Sequence, residues 1–513
     1  MKKTKLILAI TIIIYASSVF AQNKFDYLIF PDTAKRIILV VSKDSINSEF
    51  LSGIELEKNN SFAQKIFNEL NLPFHQSVIR LNQCSRNLSA NTDGPNVLYI
   101  SKNEGGFPRH GLAILNENKV VEYPNLNYVD LVVWEDKFED GAIDIYSHEL
   151  GHVMMNNIWD SFPDYKSHKQ HVSMGVTDYY KAFTEGWGIH FQRLAFDNIP
   201  LYQLGFYSIF DFDRNNKLWH SNVDKELRIN AILNNRYIFK KLLPSNVSID
   251  TLTIEEIILL EHTSAIFDYT KIKNAQQMLA CEGVLATIFY RINSNKILQN
   301  TYQKNEFYNH FLYSPIPEGI SPKDIFTPFE NVMLKNFWIW NKIKKIDFDK
   351  HQIMIEFIKE WCSSFPEDKA EIIKLFVSIT IGKTINNSLS KIYEKMSWYG
   401  SIGDYQQYKL YSSLYVKTFI EIKEQLLSDI NSLEKNIGPE LWIENSKVQI
   451  RTTLWNKENK MSLYININTA SENEIASFWE MDMSKAKMFI EKREEIGYFK
   501  SFEEAAKFGY IFN

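Results

Sequence analysis

Two histidines four positions apart, His148 and His152, enclose a glutamate in a pattern with clear chemical potential. On an α-helix, residues i and i+4 are neighbours on one face, so both imidazoles can present a nitrogen to one divalent cation. The carboxylate of Glu149 would lie beside that cation, where it can take a proton from a water molecule. Chance alone produces His-Glu-x-x-His in about one or two of a hundred such chains. The spacing therefore predicts a zinc site on a helix.

A catalytic zinc site needs a third protein ligand and one open position for water. We predict that the third ligand is Glu185, which follows His152 after 32 intervening residues. Gly186 and Gly188 leave no side chain on either side of Trp187, so two helices that share one metal can approach closely there. The predicted zinc ligands are therefore His148, His152 and Glu185.

Four other residues are weaker candidates for the third ligand. Glu282 also precedes a glycine, but it lies much further along the chain. His168 and His171 belong to a polar stretch that is typical of a protein surface. His190, five positions after Glu185, is turned away from the same helical face.

The elements that must position these residues form a mixed α and β region. Alternating apolar runs predict strands at residues 36–41, 97–100, 111–115, 119–123 and 129–134. Helical spacing predicts helices at 61–72, 141–159 and 179–196, and helical patterns dominate from about residue 224 to 460. We expect an α+β, mostly helical protein with a catalytic region at 22–223, a helical region at 224–460 and a small unit at 463–513.

The His-Glu-x-x-His helix, followed by a helix that begins Glu-Gly-aromatic-small, resembles the gluzincin group of zinc metallopeptidases over about residues 97–196. The resemblance implies a zincin-like fold with a small mixed sheet, an active-site helix and a helical C-terminal subdomain. It implies that His148, His152 and Glu185 bind Zn²⁺ and that Glu149 is the general base. It also implies a substrate-binding edge strand, at 111–115 or 129–134.

The expected reaction is hydrolysis of a peptide or protein substrate. Zinc lowers the pKa of its bound water toward ~7, and Glu149 takes the proton as that water attacks the peptide carbonyl. Zinc and a donor side chain hold the developing oxyanion, with Tyr179, Tyr180 and Tyr290 as open choices for the donor. The alternatives are an exported binding protein that uses the same scaffold without catalysis, and a pseudoenzyme that lacks zinc.

The last 50 or so residues carry a second pattern, Asn-x-Asn-Thr-Ala-Ser at 466–471 and Arg-Glu-x-x-Gly-x-Phe at 493–499. It resembles the helix-hairpin-helix domain of ComEA-like DNA receptors and implies a small all-α domain. Ser471 can cap the first helix with Glu474 in a capping box. A small core is expected from Ile475, Phe478, Ala486, Phe489 and Ile490.

The charge of this C-terminal domain disfavours DNA binding. In such domains a Gly-x-Gly hairpin offers backbone N–H groups to a phosphate, whereas residues 478–483 contain no glycine and carry Glu480 and Asp482. Residues 463–513 have six Lys and Arg against nine Asp and Glu. Because phosphate contacts dominate nucleic-acid affinity, we expect a structural or protein-interaction role rather than DNA binding.

The N-terminus predicts export. Lys2, Lys3 and Lys5 precede a short apolar run that ends at Ala21 in an acceptable cleavage pattern, typical of a signal peptide at 1–21. Its removal would change the net charge from −5 to −8, which excludes a basic footprint for nucleic acid over the whole chain. We therefore expect a secreted or periplasmic protein without a transmembrane segment after cleavage. Three cysteines at long spacings form no disulfide framework.

Overall fold

The computed structural model describes residues 24–33, 36–43, 48–91, 94–102, 105–116, 119–133, 142–167, 175–198, 235–239, 267–451 and 460–512. The predicted signal peptide, His168 and His171 lie outside these residues. The described chain mixes helices and strands, with helices in the majority, which confirms the α+β class.

Five strands close into a small barrel in the order β1-β2-β4-β5-β3. Their bounds are Ile38–Ser42 (β1), Leu51–Glu55 (β2), Val97–Ser101 (β3), Phe107–Asn116 (β4) and Lys119–Val132 (β5). Strand β1 is parallel to β3, β2 to β4, and β3 to β5, whereas β1 and β2, and β4 and β5, are antiparallel. The mixed character follows the sequence prediction, but β2 and the closure of the sheet do not, and β5 joins two predicted strands into one.

Alternate residues of these strands fill the barrel. The cluster consists of Ile38, Val40, Val97, Tyr99, Leu112, Ile114, Leu126 and Tyr128. Because successive side chains of a strand point to opposite faces, β1, β3, β4 and β5 each contribute two residues that lie two positions apart. The two tyrosines find polar partners inside: the Tyr99 hydroxyl donates to the Ser52 carbonyl oxygen at 2.8 Å.

Three helices accompany the barrel: Ser61–Leu70 (α1), Pro73–Leu88 (α2) and Ala142–Ile158 (α3). Helix α3 packs on β5 and β4 and also contacts α2. Helix α2 was not predicted, because the face that it buries is largely polar. Its buried polar residues are His75, Arg80, Asn82, Gln83, Ser85 and Arg86.

The remaining helices follow in order: Tyr179–Asn198 (α4), Ala275–Leu279 (α5), Glu282–Asn293 (α6), Lys296–Asn300 (α7), Asn305–Asn309 (α8), Pro322–Ile325 (α9), Pro328–Ile343 (α10), Ile353–Ser364 (α11), Lys369–Thr380 (α12), Ser388–Ser401 (α13), Tyr405–Ser428 (α14), Glu472–Trp479 (α15), Met483–Ile496 (α16) and Phe502–Phe512 (α17). Within the described ranges, no helix combines the length and the apolar character needed to cross a membrane.

The chain divides into two compact units. The described residues of the first fall within Met1–Phe162, Phe191–Phe206 and Asn293–Lys344, and include the barrel and α1 to α3. Those of the second fall within Pro163–His190, Tyr207–Ile292 and Lys345–Asn513.

The second unit contains strands as well as helices. Tyr237–Phe239 (β6) pairs with Phe267–Ile272 (β7), and Trp442–Arg451 (β8) pairs with Lys460–Asn466 (β9). The stretch in which helical patterns dominate therefore also holds two antiparallel hairpins. Strand β6, with three residues, is too brief to interrupt a helical pattern in the sequence, whereas β8 has ten residues and was not predicted.

The C-terminal helices α15 to α17 surround a small core of their own. The predicted residues Ile475, Ala486 and Phe489 are buried in it, and Phe478 and Ile490 pack against it. The predicted capping box is also confirmed, since Ser471 and Glu474 exchange side-chain to backbone hydrogen bonds. Local capping and apolar spacing thus account for this part of the fold.

Candidate metal centre

Helix α3 presents the His-Glu-x-x-His segment because its other residues are anchored in a core. Leu150, Val153 and Met154 are buried, each at 2 % exposure or less. His148 and His152 are half-buried and lie on a different stripe of the helix. The burial of the apolar stripe therefore fixes which way the two imidazoles face.

The ring nitrogens of the two imidazoles are already separated by about the distance expected for two ligands of one metal ion. The Nε2 atoms of His148 and His152 are 3.2 Å apart, and the rings meet edge to face at an interplanar angle of 72°. Two nitrogens that each lie 2.0–2.1 Å from a tetrahedral zinc are about 3.3 Å apart. A hydrogen bond between neutral imidazoles has a similar length, and zinc would replace it with little movement of the rings.

The third predicted ligand belongs to the same group of donors. One ligand atom each from His148, His152 and Glu185 lies within 4.8 Å of the other two. Ligands of a tetrahedral zinc are separated by about 3.3 Å, a distance that falls within this limit. Across the ranges that the structure describes, this is the one group of His, Cys, Asp or Glu side chains that could hold a metal ion.

Glu149 follows His148 on α3 and is 8 % exposed. One helical position rotates a side chain by about 100°, so its carboxylate projects beside the two imidazoles rather than along their stripe. A carboxylate in that place can exchange a proton with a water molecule near the metal.

Two of the alternative ligands are not members of the donor group. Glu282 is fully buried at the start of α6 and is not a member of the donor group. His190 is also fully buried, with its ring centroid 4.2 Å from that of Trp187 and 5.7 Å from that of Phe289. The aromatic packing of His190 accounts for its position in α4 without a metal.

Gly186 has a different role from the one that its sequence position suggested. A Cβ atom at Gly186 would lie 2.9 Å from Cβ of Leu285 and 3.0 Å from both the amide nitrogen of Ala286 and the carbonyl oxygen of Glu282. The close approach that this glycine permits is thus between α4 and α6. The sequence thus predicted a close helix contact at Gly186, but it did not identify α6 as the helix that makes the contact.

A chain of buried amides fixes α3 on its neighbours. Asn157 of α3 accepts a hydrogen bond from Asn127 of β5 at 3.0 Å and donates to Asn82 and Ser85 of α2, each at 2.9 Å. Asn127 also contacts Nδ1 of His110 at 2.9 Å. Buried polar groups of this kind are costly unless paired, so they specify one arrangement of α2, α3 and the barrel.

The choice of an oxyanion donor gains one candidate that the sequence did not suggest. The hydroxyl of Tyr180 donates to the Phe348 carbonyl oxygen at 3.1 Å. Tyr165 lies in the segment after α3. Its hydroxyl is 2.8 Å from Oγ1 of Thr184, the residue that directly precedes Glu185 in the sequence. Desolvation, and then the charge of Glu185, raise the pKa of Tyr165, so it keeps its proton at neutral pH and can donate it.

Neither of the two expected edge strands is open along its length. Residues Leu112–Leu115 pair with both β2 and β5, and Val129 and Asp130 pair with both β3 and β4. The register shifts between His110 and Leu112, where Gly111 adopts a φ of +75°. Beyond this bulge, Phe107–His110 pairs with β5 alone in the described sheet, and Lys119–Tyr123 of β5 pairs with β4 alone. Unpaired edges therefore lie at the start of β4 and at the start of β5.

Comparison of the chain with protein-family models, curated proteins and solved structures finds no match.

Proposed function

We propose that this chain is an exported, zinc-dependent peptidase of the gluzincin type. The observation that carries the proposal is the donor group of His148, His152 and Glu185, with Glu149 on the same helix as the two histidines. The chemistry of the set fits zinc, because two imidazoles and one carboxylate are the ligands of a common catalytic zinc site. When bound, the ion supplies a Lewis acid that polarises the substrate carbonyl and activates water.

The chain's own residues then divide the work of peptide hydrolysis. The carboxylate of Glu149 takes a proton from the attacking water and passes it to the nitrogen of the leaving amine. The hydroxyl of Tyr165 is the donor that we assign to the oxyanion, on account of its place beside Thr184 and Glu185. The open edge of Phe107–His110 offers backbone groups for an extended peptide.

The order of the sheet and of two helices in the fold supports the proposal. A mixed sheet precedes a helix that carries the two histidines, and a second helix carries the glutamate. We therefore propose a zincin-like arrangement in which the sheet is more strongly curved than expected and closes into a barrel. Export follows from the predicted signal peptide, and the substrate class is a peptide or protein.

The test compares the purified chain with a Glu149→Gln variant. The proposal expects one zinc per chain in both, and cleavage of a mixed peptide library by the parent chain only, with a loss of about 10²–10⁴-fold in the variant. Glu57→Gln, the same change at an exposed carboxylate of the first unit, should leave cleavage unchanged. Zinc without cleavage in the parent chain would favour the alternative, an exported binding protein, and failure to bind zinc would indicate a pseudoenzyme.

For the C-terminal domain we propose a structural role rather than DNA binding. Glu480 takes a left-handed conformation with φ of 55°, and Asp482 caps α16 by accepting from the Lys485 amide at 2.9 Å. A hydrogen bond from Ser484 is the main cause that lowers the pKa of Asp482, so a carboxylate occupies the helix N-terminus at which a phosphate would bind.

Contacts within the second unit also support a structural role for the C-terminal domain. The side-chain amide of Asn274 donates to the Asn468 carbonyl oxygen at 2.8 Å, and that of Gln277 donates to Thr469 at 3.1 Å. The Asn-x-Asn-Thr-Ala-Ser segment is thus hydrogen-bonded to the start of α5. Salt-dependent binding of duplex DNA by the full chain, measured by fluorescence anisotropy, would contradict this assignment.

A further inference from the structure

Residues 438–441, directly before β8, are held against α5 and the C-terminal domain. The side-chain amides of Gln276 and Asn468 both donate to the carbonyl oxygen of Pro439, each at 3.1 Å. Leu441 packs against the apolar core of α15 to α17. These contacts fix the path of the backbone on either side of position 440, so they also determine where that side chain projects.

The side chain of Glu440 meets the start of α4. Its carboxyl contacts the backbone amide of Tyr179, the first residue of α4. The Oε1 atom of Glu440 and the hydroxyl of Tyr179 are buried, and neither has a hydrogen-bond partner among the described residues. Because burial without full pairing costs more for a charged carboxylate than for a neutral carboxyl, the position favours the protonated form.

The charged and titratable groups around this carboxyl come from two elements. Asp178, which is fully buried, and the hydroxyls of Tyr179 and Tyr180 lie at the start of α4, and Lys166 lies in the segment after α3. Burial is the main cause that raises the pKa of both tyrosines, so both are neutral at physiological pH. The ammonium of Lys166 is 3.2 Å from Asp349, so this cation already has a carboxylate partner. The surroundings therefore disfavour a second carboxylate beside Asp178.

The ionisation of Glu440 is displaced toward neutral pH. Burial, and then the charge of Asp178, raise the pKa of Glu440 from 4.5 to about 7. The indole of Trp442, Lys166 and the amide of Tyr179 act in the opposite direction, but they do not offset the burial. Glu440 therefore changes its charge near neutral pH, where an exposed glutamate is already ionised.

We propose that the contact between Glu440 and the first turn of α4 is a pH-sensitive switch, closed when the carboxyl is protonated and loosened when it is ionised. A protonated carboxyl can also donate a hydrogen bond, for which the hydroxyl of Tyr179 is a suitable acceptor. Because α4 carries Glu185 and residues 438–441 lead into β8, the switch links the attachment of the C-terminal domain to α4. The inference is independent of zinc, since Glu440 is outside the donor group.

The direction of the pH dependence follows from the two pKa values of Glu440. In the opened contact its carboxyl has the pKa of an exposed glutamate, about 4.3, and in the closed contact a pKa of about 7. Between these values the closed form binds a proton that the opened form does not. Rising pH therefore favours opening, by up to about tenfold in the opening equilibrium per pH unit, and the effect levels off above the higher value.

The experiment is hydrogen–deuterium exchange of the full chain from about pH 5 to 8, read by mass spectrometry in peptides that cover residues 177–182 and 438–443. After correction for the intrinsic exchange rate, protection in the parent should fall by up to about tenfold per pH unit until about pH 7. Glu440→Gln cannot ionise, so its protection should not depend on pH. Glu444→Gln, at an exposed residue of β8, is the matched control and should follow the parent.

Asp178→Asn provides a second test that keeps a capping side chain before α4. Loss of this negative charge should move the midpoint of the parent's transition to lower pH. The proposal is overturned by a parent profile that does not change with pH, by parallel profiles of the parent and Glu440→Gln, or by an unchanged midpoint in Asp178→Asn. If circular dichroism shows that Glu440→Gln does not fold, the parent and Asp178→Asn decide. The measurement requires neither zinc nor a peptide substrate, so its outcome is separate from that of the peptidase assay.

Discussion

The Nε2 atoms of His148 and His152 are held 3.2 Å apart on one face of α3, close to the separation of two ligands on a single zinc. Replacing His152 by Ala removes one of the three protein ligands. We expect zinc affinity, measured by competition with a chromogenic chelator, to fall by more than about 100-fold, beyond the range typical of outer-shell changes. His310→Ala, at an exposed histidine outside the buried amide chain, should retain zinc. Retention of zinc by His152→Ala would contradict the assignment.

Glu185 and Glu282, which each precede a glycine, make opposite predictions for zinc. Glu185→Gln should weaken zinc binding by more than about 10-fold, because a carboxylate ligand is replaced by a neutral amide. Glu282→Gln should leave the zinc stoichiometry unchanged, since Glu282 lies outside the donor group. Metal analysis by mass spectrometry of the two purified variants checks both. The reverse pattern would make Glu282 the third ligand.

Asn157→Leu should destabilise the first unit. The change deprives the side chains of Asn127 and Asn82 of a buried partner, and each orphaned group costs about 1–3 kcal/mol. The free energy of unfolding, from denaturant titration, is the measurement. Asn156→Leu, at the neighbouring half-buried position, is the control and should have a smaller effect. Equal effects would mean that the amide chain contributes little to the position of α3.

The stability of the first unit should depend on pH through His75. This side chain is fully buried, its Nδ1 lies 2.7 Å from the Glu69 carbonyl oxygen, and its ring meets that of Tyr146 on α3. Burial lowers the pKa of His75 from 6.5 to about 4. Between these values the unfolded chain binds a proton that the folded chain does not, so the free energy of unfolding decreases as pH falls.

The size of this effect is up to about 1.4 kcal/mol per pH unit within the window. A His75→Phe variant keeps the ring but cannot be protonated, so its unfolding free energy should change less between pH 6.5 and 4. His351→Phe, at an exposed histidine, should keep the slope of the parent chain. Parallel pH profiles for His75→Phe and the parent would rule out this source of acid sensitivity.

Gly186→Val should loosen the contact between α4 and α6. Its Cβ would press on backbone atoms of α6 at 3.0 Å, which cannot move aside as a flexible side chain can. Overpacking of this kind costs about 1–3 kcal/mol. Thermal unfolding measures the loss, and Gly400→Ala is the control, since the new Cβ there would meet only the ring of Tyr408 at 3.3 Å.

The sequence identified the parts of this protein in which local rules dominate. The i, i+4 histidines, the capping box of Ser471 and Glu474, and the apolar core of α15 and α16 all follow from spacing within one element. Pairing between distant segments was not accessible in the same way. The closure of the barrel depends on β1 meeting β3 and β2 meeting β4, and neither pairing has a signature in either strand alone.

The candidate site shows the same division. His148 and His152 of α3 lie four positions apart, so their spacing is visible in the sequence. Tyr165 became a candidate only because the structure shows its contact with Thr184. Helix α2 was missed because Asn82 and Arg86 are buried by polar partners rather than by apolar neighbours. Patterns of hydrophobicity do not detect a face that is satisfied by hydrogen bonds.

The bulge at Gly111 also bears on how the chain avoids self-association. A sheet edge with free amide and carbonyl groups is a template for intermolecular strand pairing and fibril growth. The short segment that the bulge leaves uncovered contains Pro108, which has no amide hydrogen, and Arg109, whose guanidinium is tied to Asp130 at 3.1 Å. Both features act against extended pairing, so this short stretch of β4 can pair with one short peptide but is poorly suited to repeated stacking of molecules at high concentration.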